Sequence, residues 1–428
     1  MRNTTLKQRL LYLWICMIGA YTQVVNAQST DPFQGEKLYA DVKKYVSFGI
    51  HRTASEGDIE TSTWIQKRLE INGFQTSFTY FPVKQFFLEK ATVDIKGHSV
   101  EAFPLWYVKD PAVKVKSEVV DLIGNAKTDI RHKVALVRLP PGGQITKSII
   151  QSLDSVVNAG AQAIIAISTN KVGEIVAYNT TKDLQPWKVP VVIIAPKDSV
   201  HILKAVAQKT PVTLSIKGTI KAVQARSVLG KIGSGEKYVI ISTPISGWFT
   251  CGGERGPGVA IFNALAEWIS KQNLPYTFLF TANSGHELDN TGAHVFIGQY
   301  APKPEDVHLW LHLGAGIATR EWKSSLSGGT KLNTVDPLRN IMYSENMEVS
   351  ILAGFEGQPG KRWKVKDQAL GELSVVSAHG YKRFFGIAYG HSFHHMPSDD
   401  ETTTSPQLLE EIAHAIQKTL ELELQLSK

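Results

Sequence analysis

The stretch Tyr238-Val-Ile-Ile-Ser-Thr-Pro-Ile-Ser-Gly-Trp-Phe-Thr-Cys-Gly-Gly-Glu-Arg-Gly-Pro-Gly258 joins an apolar run of strand length to a glycine-rich loop with charged side chains. Its continuation over residues 259–269 has the apolar spacing of a helix. A strand, a loop with polar groups and a helix form the repeating unit of an open α/β sheet, which displays its chemistry at the carboxyl ends of its strands. This stretch therefore predicts a mostly parallel sheet flanked by helices.

Two later stretches repeat this order. The run Tyr276-Thr-Phe-Leu-Phe-Thr281 precedes the loop Ser284-Gly-His-Glu-Leu-Asp-Asn-Thr-Gly292, and an apolar run at residues 307–311 precedes a loop that begins at His312. A fourth polar segment, Gly390-His-Ser-Phe-His-His-Met-Pro-Ser-Asp-Asp400, lies far downstream. Because the ends of parallel strands share one edge of a sheet, we expect side chains from these segments to meet there. The expected side chains are Glu254, Glu287, His312 and His395.

The N-terminus has the composition of a secretory signal peptide. Arg2, Lys7 and Arg9 precede an apolar stretch over residues 10–20, and small residues lead to Ala27. The apolar stretch is shorter than the roughly 20 residues that a membrane span needs, and no other run is long enough. We therefore expect residues 1–27 to be cleaved and the mature chain to be exported, periplasmic or secreted, without a membrane span.

Charge and cysteine content exclude further classes. Loss of residues 1–27 lowers the net charge from +7 to about +4. The sequence has no cluster of Lys and Arg of the kind that binds a phosphate backbone, so nucleic acid is not an expected partner. Cys251 is the single cysteine beyond residue 27. The mature chain therefore has no internal disulfide and depends on its hydrophobic core.

Residues 115–221 differ in pattern from their flanks. The segments Val157-Asn-Ala-Gly-Ala-Gln-Ala-Ile164 and Val189-Pro-Val-Val-Ile193 belong to a strand–helix–strand–strand pattern. This set resembles the protease-associated domain, and the resemblance implies a small inserted α/β domain that carries no chemistry and shapes substrate access or binds partners. The domain boundaries that follow are 115–221 for the insertion, and 28–114 with 222–428 for the larger domain.

Carboxylate and imidazole groups on separate loops point to a metal site with oxygen and nitrogen ligands. Zn²⁺ accepts such ligands in tetrahedral geometry, and a catalytic site leaves one position for water. The ion would lower the pKa of that water towards about 7 and polarise a carbonyl group. We therefore expect one zinc ion held by two Glu and one His.

Three motifs are similar to those of the zinc aminopeptidase and glutaminyl cyclase family. They are Gly256-Pro-Gly-Val-Ala260, Ser284-Gly-His-Glu287 and His395-Met-Pro-Ser-Asp-Asp400. The resemblance implies that Glu254, Glu287 and His395 ligate a single zinc. A ligating His usually donates a hydrogen bond from the N–H of its other ring nitrogen, and Asp399 is the expected acceptor for His395.

Other positions depart from the family pattern. Pro244 and Ser246 stand where the family has a His and an Asp, and Arg255 stands where it has a second Asp. His286 replaces the Glu that activates water, and His312 replaces an Asp after a strand. The two-zinc site of the family therefore cannot be assembled from this sequence.

Three interpretations fit these departures. In the first, the chain is a metal-dependent hydrolase that cleaves an amide or related bond of a small peptide or conjugate. His286 is then the base, with a pKa near neutrality, and His312 is a ligand or assistant. In the second, catalysis is lost and the pocket binds a peptide or glycan. In the third, the histidines perform acid/base chemistry without metal on a substrate that is not a peptide.

Several assignments at the site have alternatives. The substrate-binding residues predicted from these loops are Trp248, Arg255, His391 and His394. Glu254 beside Arg255 also fits a surface ion pair, and His312 after an apolar strand also fits a core histidine. Trp248 either lines the pocket or covers the sheet edge. Residues 322–380 show mixed patterns from which no order of elements can be predicted.

Overall fold

The structure is a computed structural model that describes residues 31–123, 128–181, 183–325 and 328–425. The predicted signal peptide at residues 1–27 lies outside these ranges. The helices of the described residues are α1 Gly35–Ser47, α2 Glu56–Ile71, α3 Lys147–Asn158, α4 Ser199–Ala207, α5 Gly256–Ser270, α6 Thr291–Gln299, α7 Glu348–Gly354, α8 Glu372–Ala378 and α9 Pro406–Glu423. The strands are β1 Gln75–Ile95, β2 His98–Glu101, β3 Phe103–Pro104, β4 Ala112–Asp121, β5 Val134–Leu139, β6 Ala163–Ser168, β7 Val191–Ile194, β8 Pro211–Ile232, β9 Lys237–Pro244, β10 Tyr276–Asn283, β11 Val307–Leu313, β12 Arg320–Ser325, β13 Gly328–Val335, β14 Asn340–Tyr343, β15 Lys361–Lys364 and β16 Phe384–Ile387.

Within the described residues, one mixed sheet of 14 strands has the order β15-β14-β16-β11-β9-β10-β8-β4-β5-β6-β7-β3. Strand β1 also pairs with β8, and β2 pairs with β1. Strands β16, β11, β9 and β10 are parallel neighbours, and so are β4 to β7. Antiparallel pairing of β8 with β10 and β4 joins the two parallel parts. The predicted α/β class is confirmed.

Strand alternation explains why helices cover both faces of the larger part. On β9, Val239 and Ile241 belong to the core that α1, α2, α5 and α9 form, while Ile240 belongs to the core on the opposite face with α6 and α8. Helix α5 is buried almost all round, and Pro257 in its first turn is pre-organised for a helix start. This three-layer packing holds the loop before α5 in place.

A separate hydrophobic core lies around β4 to β7. It contains residues from Phe86 to Ile216, together with Trp248, Leu288 and Met396 from the loops of the larger part. The predicted helix and strands of residues 133–194 are present, as α3, β5, β6 and β7. The protease-associated identity of residues 115–221 and the predicted domain boundaries stay predictions.

Strands β1 and β8 form a long antiparallel ribbon that connects the two cores. They span 21 and 22 residues, and their pairing runs from Gln75 opposite Lys231 to Asp94 opposite Thr213. The residue patterns at 74–81, 212–216 and 227–232 indicate, by themselves, three shorter strands. Residues 217–226 have no regular alternation of apolar and polar side chains, so their ordering depends on pairing across the ribbon.

Within the described ranges, no helix has both the length and the apolar character needed to cross a bilayer. No order of elements could be predicted for residues 322–380. In the structure most of β12, all of β13 to β15, and helices α7 and α8 lie in this stretch.

Candidate metal centre

The four polar segments predicted to converge do begin at one edge of the sheet. Pro244 pairs with Asn283 where β9 and β10 end, and Leu313 pairs with Ile387 where β11 and β16 end. His312 pairs with Ser242 in the neighbouring strands β11 and β9. The loops after β9, β10 and β16 therefore leave the sheet side by side.

One group among the described residues combines enough ligand atoms in one place to hold a metal ion. It consists of Glu254, His394 and His395, whose ligand atoms all lie within 4.8 Å of one another. Oε1 of Glu254 is 3.4 Å from Nε2 of His395 and 3.8 Å from Nδ1 of His394. Nδ1 of His394, Nε2 of His395 and Oε2 of Glu254 are buried and have no hydrogen-bond partner, whereas Oε1 of Glu254 also forms an ion pair with Arg255. Buried polar atoms without partners are costly, and a bound ion would satisfy them.

Arg255 supplies a fixed positive charge beside this group. Its Nη2 lies 2.6 Å from Oε1 of Glu254, and the two side chains are 1% and 0% exposed. Nε of Arg255 also donates to the carbonyl of Ser246 at 3.0 Å. Burial alone would raise the pKa of Glu254, but Arg255 and the two histidines outweigh it and hold that pKa well below its usual range. Glu254 is therefore an ionised carboxylate in a buried pair, and the surface ion-pair interpretation is wrong.

Asp399 holds the loop that carries Glu254. Its carboxylate accepts the backbone N–H groups of Gly253 and Glu254 at 2.8 and 2.9 Å and the Thr403 hydroxyl at 2.8 Å. The predicted hydrogen bond from His395 to Asp399 is wrong. Nδ1 of His395 lies 3.1 Å from the carbonyl of Ala177 instead, because the segment before β7 approaches the His395 ring from the other side.

Glu287, which was predicted to ligate the metal together with Glu254 and His395, makes hydrogen bonds to other loops instead. Its Oε1 accepts the backbone N–H and the hydroxyl of Thr53, both at 2.6 Å, and its Oε2 accepts the hydroxyl of Ser246 at 2.8 Å. The three-residue group that fits one ion contains His394 in its place. These hydrogen bonds use both carboxylate oxygens to tie the loop after β10 to the loops after α1 and β9.

His286 forms a pair with Glu372 at the wall of a cleft. Nδ1 of His286 is 3.3 Å from Oε1 of Glu372, and Oε2 of Glu372 accepts from the Asn283 amide at 3.0 Å. Burial, and after it Arg255, holds the pKa of His286 well below its usual range, while burial raises the pKa of Glu372. The cleft has a volume of about 480 Å³ and is lined by His286, Gln144, Asn179, Thr180, Trp363 and Ser374, among others.

His312 is part of the sheet rather than of the cleft wall. Nδ1 of His312 is 3.0 Å from the hydroxyl of Ser242, which also accepts from Trp310 at 2.8 Å. Its Nε2 is buried and has no partner. Burial lowers the pKa of His312 to about 4, so the ring is neutral at physiological pH.

The four predicted substrate-binding residues have different places. His394 belongs to the three-residue group, and its ring is 19% exposed. Arg255 is buried behind Glu254, and His391 is buried with Nε2 at 3.7 Å from Asp399. Trp248 is buried, donates to Asn179 at 2.8 Å, and lines a second cleft of about 650 Å³ with Arg52 and Phe249.

Comparison with known proteins gives no matching family model and no similar curated protein. Solved structures do match. BSAP, a zinc aminopeptidase from Bacillus subtilis, has a TM-score of 0.71 over 93% of this chain and 97% of its own, at 12% identity. This chain has the zinc aminopeptidase fold. A peptidase M28 precursor from Shewanella amazonensis has a TM-score of 0.67 over 92% and 97% of the two chains, at 16% identity. An aminopeptidase from Aneurinibacillus sp. strain AM-1 has 0.62 over 90% and 93%, at 14% identity. The predicted resemblance in fold is confirmed.

Within this zinc aminopeptidase fold, the group of Glu254, His394 and His395 fits one metal ion. Glu254 offers carboxylate oxygen, and His394 and His395 offer ring nitrogen, which are ligand atoms that zinc accepts. All the atoms concerned are buried, and the two histidine nitrogens make no hydrogen bond. Arg255 also contacts Oε1 of Glu254, so an ion there shares that carboxylate with a guanidinium.

Two functional candidates were missed by sequence reasoning. Glu372 begins α8 in the stretch that could not be ordered, and a single Glu without a motif gives no signal. The carbonyl of Ala177 is a backbone group, which no side-chain pattern reveals. The family resemblance implied His395 as the histidine ligand, but the structure places both His394 and His395 against Glu254.

Proposed function

We propose that this chain is an exported metal-dependent hydrolase that cleaves an amide or related bond of a small peptide or conjugate. The observation that supports this most is the group of Glu254, His394 and His395, whose buried ligand atoms lie within 4.8 Å of one another and whose two histidine nitrogens make no hydrogen bond. Its position at the strand ends of a zinc aminopeptidase fold is a second support. The export rests on the signal-peptide composition of residues 1–27.

The proposed ligands are Glu254, His394 and His395, and zinc is the proposed ion. When bound, zinc supplies an acidified water and a Lewis acid for the substrate carbonyl. Arg255 keeps Glu254 ionised, and the Asp399 carboxylate fixes the Glu254 backbone. Glu287, which the family resemblance made a ligand, is proposed instead to fix the loop that carries His286.

His286 is the proposed base. Its ring is neutral because burial and Arg255 hold its pKa low, which leaves one nitrogen unprotonated but makes it a weaker base than the near-neutral imidazole expected from sequence. The contact of Nδ1 with Glu372 assigns that nitrogen as the donor, which leaves Nε2 as the acceptor. His312 is proposed to have a structural role within strand β11, since its Nδ1 contacts Ser242 of β9 and its side chain does not line the cleft.

The cleft beside His286 limits the size of the substrate. Its volume of about 480 Å³ lies in the range of small-molecule sites. Amide and hydroxyl groups of Gln144, Asn179, Thr180 and Ser374 line it, together with Trp363. These groups suit the peptide groups of a short substrate, with the indole ring available for an apolar side chain.

The test combines metal content with turnover. The chain without residues 1–27 is purified without chelator, its zinc is measured by elemental analysis, and hydrolysis is followed on a panel of aminoacyl and N-acyl amides. We expect about one zinc per chain, and turnover that a chelator abolishes. His395→Ala is expected to lose both zinc and turnover. His414→Ala, on the exposed side of α9, is the matched control and retains both. Zinc-loaded protein without turnover on any amide, or turnover by metal-free His395→Ala, would refute the proposal.

One observation favours a second candidate, a binding protein without catalysis. The Arg255 guanidinium already neutralises Glu254 at 2.6 Å, so the buried carboxylate does not need an ion to be compensated. In that case the wild-type protein binds no zinc at micromolar concentration, hydrolyses nothing, and still binds peptides or glycans in the cleft. Isothermal titration with zinc separates the two candidates.

A further inference from the structure

Two short segments from the second core reach the metal centre and pair with each other. Residues 143–145 and 177–180, here called the lip, are joined by hydrogen bonds from the Asn179 N–H to Gly143 at 2.8 Å and from the Ile145 N–H to Asn179 at 2.9 Å. The lip supplies Gln144, Asn179 and Thr180 to the cleft wall. It therefore lies between the second core and the proposed active site.

The lip is bonded to three loops of the larger part. The Thr180 N–H donates to the carbonyl of Glu287 at 3.0 Å, and the Asn179 side chain accepts from Trp248 at 2.8 Å. The Ala177 N–H donates to the carbonyl of His395 at 3.0 Å. His395 has a backbone φ of 60°, a left-handed conformation that a side chain with a Cβ adopts only at a cost. The bond from Ala177 helps to hold it there.

The second contact of Ala177 determines the state of the His395 ring. Its carbonyl oxygen lies 3.1 Å from Nδ1 of His395. Because a carbonyl oxygen only accepts, Nδ1 must carry the proton in this contact. In the neutral ring the lone pair is then on Nε2, the atom that faces Glu254 at 3.4 Å. A histidine that ligates through one nitrogen needs this tautomer.

We propose that the lip is a positioning element for the metal centre, which prepares His395 as a ligand by binding its Nδ1 proton at the Ala177 carbonyl. The inference rests on the metal site of the proposed function. It gives the region around β4 to β7 a direct role in metal binding, beyond shaping access to the cleft. Ala177 and Gly143 are positioning residues, because they act through His395 and do not touch the substrate.

Two adjacent glycines allow a matched test of this role. Gly143 has a φ of +63°, and a Cβ built on it would lie 2.6 Å from Nδ1 of His395. Gly142 has a φ of +117°, and a Cβ there would meet nothing within 4 Å. Gly142→Ala therefore strains the backbone of the same turn at least as much but leaves His395 untouched. Gly143→Ala displaces the ring from the Ala177 carbonyl.

The first experiment measures zinc affinity of the full mature chain with a competing chromophoric chelator. Loss of a group that orients a metal ligand typically weakens metal affinity by about 10- to 100-fold, and we expect this for Gly143→Ala. Gly142→Ala is expected to bind zinc as the wild type does. Equal affinity of Gly143→Ala and wild type would overturn the proposal. Circular dichroism and thermal unfolding of both metal-free variants establish that they are folded.

The second experiment needs no variant in the lip. In metal-free wild-type protein with ¹⁵N-labelled histidine, NMR distinguishes a protonated Nδ1 from a protonated Nε2, and His395→Gln assigns the signal. We expect the Nδ1–H tautomer for His395, and an Nε2–H tautomer would overturn the proposal even if Gly143→Ala does not fold. If wild type binds no zinc, the proposed function fails, whereas the tautomer still decides whether the lip holds the ring as described.

Discussion

Replacement of Arg255 by Met tests the electrostatics of the centre. The guanidinium contacts Glu254 at 2.6 Å, and both side chains are fully buried. Removal of one partner from a buried ion pair leaves an uncompensated charge and typically costs about 3–5 kcal/mol. We therefore expect the free energy of unfolding of metal-free Arg255→Met at neutral pH to fall by about that amount. Glu254→Gln combined with Arg255→Met removes both charges and is expected to regain most of the loss.

Zinc gives the second half of this prediction. In the wild type, an ion at one hundred times its dissociation constant stabilises the folded state by about 2.7 kcal/mol. In Arg255→Met the ion also compensates the charge of Glu254, so zinc should stabilise the variant more than the wild type. Urea unfolding in the presence of chelator measures the loss caused by the substitution, and urea unfolding in the presence of zinc measures the stabilisation by the ion. The loss of an uncompensated buried ion pair predicts several kcal/mol, so a decrease in the free energy of unfolding below about 1 kcal/mol in chelator would refute the reasoning. An equal stabilisation of both proteins by zinc would refute it as well.

Three further predictions concern neighbouring residues. Glu287→Gln weakens the hydrogen bonds to Thr53 and Ser246 and should lower the free energy of unfolding by about 2–4 kcal/mol. The zinc content, measured by elemental analysis, should stay at the wild-type value. Loss of zinc would indicate that Glu287 is a ligand after all. Glu372→Gln should lower kcat by about 10- to 100-fold with little change in KM, because His286 loses its orientation; steady-state kinetics with an unchanged kcat would contradict this. Burial raises the pKa of Asp58 to about 8, so the folded state retains a proton that the unfolded chain releases near pH 4. The stability from this group is present below that pH and is lost as the pH rises towards 8, by about 1.4 kcal/mol per pH unit. Urea midpoints of Asp58→Asn between pH 5 and 8 should lack this slope, and an equal slope in both proteins would count against it.

Apolar periodicity predicted the elements that build the cores. The runs that became β9, β10 and β11 and the amphipathic helix α9 were predictable because each buries a face with its own repeat. The middle of the β1–β8 ribbon was not, since residues 217–226 are ordered by cross-strand pairing. The mixed character of the sheet follows in part from that ribbon, since β8 is antiparallel to both neighbouring parallel parts, and in part from the antiparallel strands β14 and β3.

The candidate site was predictable as a set of loops and less so as a set of contacts. Strand ends placed Glu254 and His395 at one edge of the sheet, and the structure brings them to 3.4 Å. Spacing in a motif does not show which hydrogen bonds a carboxylate makes, so the contacts of Glu287 with Thr53, more than 200 residues away, were not foreseen. Glu372 and the Ala177 carbonyl reach the site only through tertiary folding.

The central claim is that one ion is held by Glu254, His394 and His395. Crystals grown with zinc and measured at the zinc absorption edge test it most directly, because the anomalous difference map locates the ion. We predict one peak per chain, within bonding distance of Nδ1 of His394, Nε2 of His395 and the Glu254 carboxylate. A peak bonded to Glu287, two peaks in the centre, or no peak while zinc is present in solution would contradict the claim.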